Sequence, residues 1–106
     1  MSDDLPFLYE RIRAHLDAGP EASSELADLE HTLTDGYARA LELEAERTRV
    51  EREIGELASR IEDPLHLDDL RALSERRTQT DEELERLRAL LELLRRQVAE
   101  QRAAPV

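Results

Sequence analysis

Apolar residues recur at heptad spacing over two long stretches of the chain. In the first stretch the inward-facing a and d positions of the heptad are Leu26, Leu29, Leu33, Gly36, Ala40, Leu43, Arg47, Val50, Ile54, Leu57 and Ile61. Nine of these eleven residues are apolar, the exceptions being Gly36 and Arg47. A repeat sustained over this length is typical of a coiled-coil helix.

The second stretch repeats the pattern. Its a and d positions are Leu70, Leu73, Arg77, Thr80, Leu84, Leu87, Leu91, Leu94 and Val98, of which seven are apolar. Asp63 and Pro64 separate the two stretches, and proline disfavours helical geometry in the residue before it. We therefore expect helices over about residues 21–62 and 69–102, a loop over 63–68 with Asp68 or Asp69 capping the second helix, and a frayed tail over 103–106.

Two long amphipathic helices joined by a short loop are expected to lie antiparallel. Matching a positions with d positions predicts that Gly36 lies opposite Val98 and Leu57 opposite Arg77. On one flank of the pair, the same register predicts that Tyr37 approaches Arg95, where their side chains are able to stack. The sequence thus predicts an antiparallel coiled-coil helical hairpin over residues 20–102.

A short amphipathic helix is predicted before the hairpin, within residues 1–19. Leu8, Ile12 and Leu16 recur at intervals of four and form one apolar stripe, and Pro6 suits a first helical turn. Gly19 and Pro20 are expected to end this helix.

Leu90 and Leu93 widen the apolar face of the last helix beyond what a two-stranded coiled coil requires. Such a surface needs a cover, which is either the N-terminal helix or a second protomer. A lone helical hairpin buries little surface per residue, and we therefore favour a homodimeric helical bundle. The fold class predicted is all-α.

Composition limits the possible partners. Charged residues make up 39% and aromatic residues 3% of the 106 residues, and the net charge is −11. This charge argues against binding to nucleic acid or to an anionic membrane surface. All fifteen basic residues are arginine, which suggests a GC-rich genome and, as a secondary inference, an actinobacterial source. The start of the sequence is acidic and lacks an apolar signal segment, so a cytoplasmic protein is expected.

The sequence contains no pattern that indicates an enzyme. It has no cysteine, and its histidines, His15, His31 and His66, lie in three different segments. No metal-binding or glycine-rich phosphate-binding motif occurs. We expect no catalytic residues, no metal and no cofactor.

Arg47, Arg77 and Thr80 are polar residues at inward positions. One interpretation is that they fix the register of the helices, with Glu51 as the partner of Arg47 and Glu53 as the partner of Arg77. The other is an anion site in which the arginines bind a second-messenger nucleotide. We favour the first interpretation, because charged residues at such positions usually have a structural role.

The loop end of the hairpin carries a third candidate feature, the acidic tip, formed by Asp63, Asp68 and Asp69. It is accompanied by Leu65 and Leu67, which are candidates for insertion into a partner. Capping and the proline break also explain these residues without any function.

The leading hypothesis is a non-catalytic protein–protein interaction module, either a coiled-coil adaptor or a structural protein. The candidate partner-binding residues are Leu8, Ile12, Leu16, Leu65, Leu67, Leu90 and Leu93. The alternative is a transcription-associated regulator whose acidic tip binds RNA polymerase or a sigma factor, or a coiled coil that responds to a second messenger.

Overall fold

The computed structural model describes residues 4–18, 26–60 and 65–103, with the backbone alone for Asp4, Leu65 and His66. Three helices account for almost all of these residues: α1 (Asp4–Ala18), α2 (Leu26–Ala58) and α3 (Leu65–Ala103). No strand occurs in the described part of the chain, which confirms the predicted all-α class. The predicted breaks at Gly19-Pro20 and Asp63-Pro64, and most of the predicted frayed tail, lie outside the described residues.

The bounds of the two long helices differ from those expected from the sequence. α2 ends at Ala58 instead of near residue 62, and α3 begins at Leu65 instead of near residue 69. Ser59 Oγ donates a hydrogen bond to the carbonyl oxygen of Glu56 at 2.7 Å, a local bond that competes with the helical pattern. Because α3 begins at Leu65, neither Asp68 nor Asp69 is its cap. Asp68 lies within the first turn, where a carboxylate is favourable to the helix dipole.

The chain forms two compact units. The three-helix unit comprises Met1–Ala40 and Arg86–Val106, and so contains α1, the first part of α2 and the last part of α3. The two-helix unit comprises Leu41–Glu85, and so contains the remainder of α2 and α3.

Side chains from all three helices form the core of the three-helix unit. The buried apolar residues are Leu5, Leu8 and Ile12 from α1, Leu29 and Ala40 from α2, and Leu87, Leu91, Leu94 and Val98 from α3. Thr32 and Gln97 are buried among them. The predicted apolar stripe of α1 therefore faces inward, and α1 packs on the two longer helices.

The two-helix unit has a narrower core. Leu43, Val50 and Leu84 are buried there, together with Thr80. The inward positions nearer the connection between the helices remain partly exposed, namely Ile54, Leu57, Leu70 and Leu73. Two helices cover each other on one side only, so this part of the apolar stripe stays accessible to water.

The two long helices are antiparallel within each unit, as predicted. In the three-helix unit, Arg102 forms an ion pair with Glu30, and Leu91 lies against Gly36. In the two-helix unit, Asp81 pairs with Arg47, and Arg77 pairs with Glu51.

The predicted register is wrong by about one heptad. Gly36 lies against Leu91, whereas the heptad pattern predicted Val98. The direction of this shift agrees with the connection between the helices, which lies about four residues earlier in the chain than expected. A slip of one heptad returns the same a and d positions to the interface, so the hydrophobic pattern permits both alignments.

Candidate interaction surface

A groove opens between α2 and α3 on one side of the three-helix unit. It has a volume of about 360 Å³ and is lined by Glu30, Leu33, Thr34, Tyr37, Arg95, Val98, Ala99 and Arg102. Leu33 and Val98 supply the apolar floor. Tyr37, which is 45% exposed, lies on the α2 side. Tyr37 and Arg95 both line this groove, so they share one flank of the α2–α3 pair as predicted, even though the register differs from the expected one.

The charges of the groove are separated between its two edges. The α2 edge carries the carboxylate of Glu30, and the α3 edge carries the guanidinium groups of Arg95 and Arg102. Glu30 and Arg102 form an ion pair across one end. These groups remain substantially exposed, so a binding partner is able to reach them.

Arg95 is held in place by its own helix. Its Nη2 and Nε atoms donate to the two carboxylate oxygens of Glu92 at 2.6 and 3.0 Å. These hydrogen bonds lower the pKa of Glu92 and raise the pKa of Arg95. A bidentate pair of this kind fixes the plane of the guanidinium, which leaves its face available for stacking.

α1 occupies the other side of the α2–α3 pair through a partly buried polar cluster. Arg11 donates from Nη1 to Asp35 Oδ2 at 2.8 Å and from Nη2 to Thr32 Oγ1 at 3.0 Å. His15 Nε2 lies 3.2 Å from the same Thr32 oxygen. These bonds satisfy polar groups that burial would otherwise leave without partners, and they fix α1 against α2.

A second buried polar residue fixes α1 against α3. Gln97 Nε2 donates to the backbone carbonyl of His15 at 2.8 Å. His15 belongs to the last turn of α1, whose carbonyl groups lack partners within the helix. Gln97 therefore acts as a C-terminal cap supplied by a different helix. On another part of α3, the guanidinium of Arg86 lies 5.1 Å from the ring centroid of Tyr9.

The candidate residues of α1 lie inside the three-helix unit. Leu8 and Ile12 are buried, Ile12 completely, and Leu16 is partly buried. The structure thus uses this stripe for packing within the chain. Of the large apolar residues of α1, Phe7 remains on the surface, with 63% exposure.

Leu90 and Leu93 lie on the side of α3 that faces α1. They fall between Arg86 and Gln97, each of which contacts α1. Leu90 is half-buried and Leu93 remains 48% exposed. The sequence predicted either the N-terminal helix or a second protomer as the cover for these residues. The N-terminal helix, α1, lies on this side.

Arg47 and Arg77 belong to an ion network in the two-helix unit. Arg47 lies 4.0 Å from Glu51 and 3.5 Å from Asp81, and Arg77 lies 3.5 Å from Glu51 and 4.0 Å from Asp81. The partner predicted for Arg47 is confirmed. Arg77 pairs with Glu51 and Asp81, and not with the predicted Glu53.

This network joins the two helices by alternating charges, with Thr80 buried in the same unit. Each arginine has two carboxylates within 4.0 Å, so an anionic ligand would compete with both. The geometry supports a role in fixing the alignment of the helices. A further pair, from Arg76 to Glu46 at 3.1 Å, also links them.

The acidic tip is described in part. Asp68 and Asp69 are exposed in the first turns of α3, and Leu67 beside them is 56% exposed. Asp63 and the side chain of Leu65 lie outside the described residues.

Thr32 and Gln97 are buried polar residues that contact α1 and that the heptad pattern does not predict. Both occupy g positions, which flank the inward positions and are ordinarily polar and exposed. The signal that could have found Gln97 is Leu90, which occupies the preceding g position of the same helix. An apolar residue at g indicates that a third helix covers that flank.

In the described part of the chain, no cluster of three or more histidine or acidic residues has the arrangement of a metal site. None of the described helices is both long and apolar enough to cross a membrane. No family model, curated protein or solved structure matches the chain.

Proposed function

We propose that this chain is a non-catalytic protein–protein interaction module, a cytoplasmic coiled-coil adaptor or structural protein that assembles as a homodimer. The observation that supports this proposal is the open groove of the three-helix unit, where Tyr37, Leu33 and Val98 form an apolar surface between charged edges. Apolar centres with polar rims are characteristic of protein interfaces.

The groove is suited to a helical partner. It runs between two helices, and an amphipathic helix is able to lay its apolar face along such a groove. Tyrosine and arginine, the residue types most enriched among the main energetic contributors to interfaces, are both present at its edges.

Capture from cells tests this function. Two differently tagged copies of the full chain are co-expressed, one copy is recovered, and the proteins retained with it are quantified by mass spectrometry. The wild type is expected to retain the second copy, a further protein, or both. The Tyr37→Asp variant is expected to lose what binds in the groove, because a carboxylate on the apolar surface must be desolvated.

Phe7→Asp is the matched control, since it places the same charge at an exposed aromatic position outside the groove. It is expected to retain the wild-type set of proteins. If Tyr37→Asp also retains that set, the groove is not the binding surface. If the wild type retains no protein, the proposal of an interaction module fails.

A second candidate function rests on the exposed end of α3. Leu67, Asp68 and Asp69 together present an apolar side chain beside two carboxylates. This combination suits a transcription-associated regulator that inserts the tip into RNA polymerase or a sigma factor. The test is direct binding of the full chain to each purified protein, with and without Asp68→Asn and Asp69→Asn. Equal binding by the wild type and by the chain carrying both substitutions would exclude the tip as the contact.

A further inference from the structure

The two edges of the groove are complementary to each other in charge, which points to a second copy of this chain as its occupant. The α2 edge presents Glu30 and Tyr37, and the α3 edge presents Arg102 and Arg95. Two copies placed face to face bring an acidic and aromatic edge against a basic edge twice, as an isologous interface requires.

The levels of these residues along the helices fix the symmetry. Glu30 and Arg102 pair within one chain and therefore lie at one level of the antiparallel α2–α3 pair. A two-fold axis parallel to the helices keeps each level unchanged and places α2 of one copy against α3 of the other. A two-fold axis across the helices would instead place α2 against α2, and would bring the arginine-bearing edges together.

We infer that the groove of the three-helix unit binds a second copy of this chain about a two-fold axis parallel to the helices. Glu30 then meets the partner's Arg102, and the partner's Glu30 meets Arg102, which gives a ring of four alternating charges. Tyr37 meets the partner's Arg95, whose guanidinium plane is already fixed by Glu92.

The middle of the groove permits this approach. Thr34 and Ala99 lie between the charged end and the tyrosine, and both are small. Short side chains at a helix–helix contact allow the backbones to come close, so that Leu33 and Val98 of the two copies are covered together. α1 occupies the other side of each α2–α3 pair and does not cover the groove.

This inference rests on the proposed function and specifies its self-association. The test uses two single charge reversals in the full chain, Glu30→Arg and Arg102→Glu, studied by analytical ultracentrifugation and native mass spectrometry. Each variant alone opposes like charges twice in the dimer, and we expect its dimer affinity to fall about tenfold or more. An equimolar mixture is expected to recover wild-type affinity as a heterodimer, because each contact between the chains again joins opposite charges.

The mixture separates contacts between chains from contacts within one chain. Both variants lose the internal Glu30–Arg102 pair, alone and mixed, so a folding defect cannot produce recovery on mixing. Glu100→Arg and Arg13→Glu reverse exposed charges outside the groove and are the matched controls, expected to dimerise as the wild type does.

The double variant Glu30→Arg/Arg102→Glu covers the case in which a single variant fails to fold, because it keeps the internal pair with its polarity reversed. We expect this variant to form dimers with itself and to reject the wild-type chain. A mixture of single variants that fails to recover, or a double variant that pairs freely with the wild type, would overturn the arrangement. A wild type that is monomeric at all concentrations would overturn it too, together with the homodimeric part of the proposed function. Whether the chain is an interaction module is decided separately by the capture experiment.

Discussion

Gly36 and Gly55 both lie in α2, but their surroundings predict opposite effects for the same substitution. A Cβ at Gly55 would have no neighbour within 4 Å, whereas a Cβ at Gly36 would clash with the side chain of Leu91. Gly55→Ala is expected to stabilise the protein by about 0.5–1 kcal/mol, since alanine loses less conformational entropy in a helix.

Gly36→Ala is expected to destabilise the protein by about 1 kcal/mol or more despite the same gain in helix propensity, because the buried Leu91 must leave its position in a filled core. Urea unfolding of both variants measures the difference. Stabilisation by Gly36→Ala would show that α2 and α3 are not in close contact at this level.

Thr32 is expected to contribute to stability through its hydroxyl group. Thr32→Val keeps the shape of the side chain but removes the oxygen that accepts a hydrogen bond from Arg11 and contacts His15. The expected loss is about 1–3 kcal/mol, because partly buried donors lose their partner. Thr48→Val is the control, since the Thr48 hydroxyl is exposed and bonds the Glu44 carbonyl of its own helix. A loss equal to that of the control would show that the polar cluster does not stabilise the docking of α1.

At the scale of a helix, α1 is expected to depend on Ile12 for its packing. Ile12 is completely buried, and Ile12→Ala should reduce the free energy of unfolding by about 2–4 kcal/mol through lost contacts and the cavity left behind. Phe7→Ala removes a larger side chain from the same helix, but Phe7 is mostly exposed and the change should stay within about 0.5 kcal/mol. Thermal unfolding followed by circular dichroism compares the two. Equal effects would contradict the docking of α1 through its Leu8–Ile12 face.

The heptad pattern could predict the helices and their inward faces, because apolar residues that recur at the helical period lie on one face of a helix. Leu29, Val50, Leu84 and Leu94 are buried as expected. The register could not be fixed in this way, since sliding one helix by a heptad returns the same faces to contact. It depends instead on where the helices are connected, and α2 ends at Ala58, earlier than Pro64 alone would suggest.

The residues at the flanking e and g positions decide which side of the α2–α3 pair forms the groove and which side α1 covers. The heptad pattern alone did not predict this choice. The e positions Glu30, Tyr37, Arg95 and Arg102 line the groove, while the g positions Thr32 and Gln97 contact α1. The heptad pattern of two paired helices does not predict which flank a third helix will cover. That choice follows from polar residues whose hydrogen bonds are visible only once the helices are placed.

At the scale of the whole molecule, the two units differ in how completely their apolar positions are covered. In the three-helix unit, Leu29, Leu91 and Leu94 are excluded from water, whereas in the two-helix unit Ile54 and Leu73 remain partly exposed. Local opening is easier where fewer buried contacts must be broken. We therefore expect amide hydrogens around Ile54 and Leu73 to exchange faster than those around Leu29 and Leu94.

Hydrogen exchange read by mass spectrometry tests this difference, and Ile12→Ala shows whether the units open separately. The substitution removes packing from the three-helix unit alone, so separate opening requires faster exchange there and unchanged exchange around Ile54 and Leu73. Measurement at several protein concentrations distinguishes core protection from protection by a second copy, because only the latter rises with concentration. If exchange rises equally in both units, the protein opens as one cooperative body, and the stability of the two-helix unit then depends on the packing of α1.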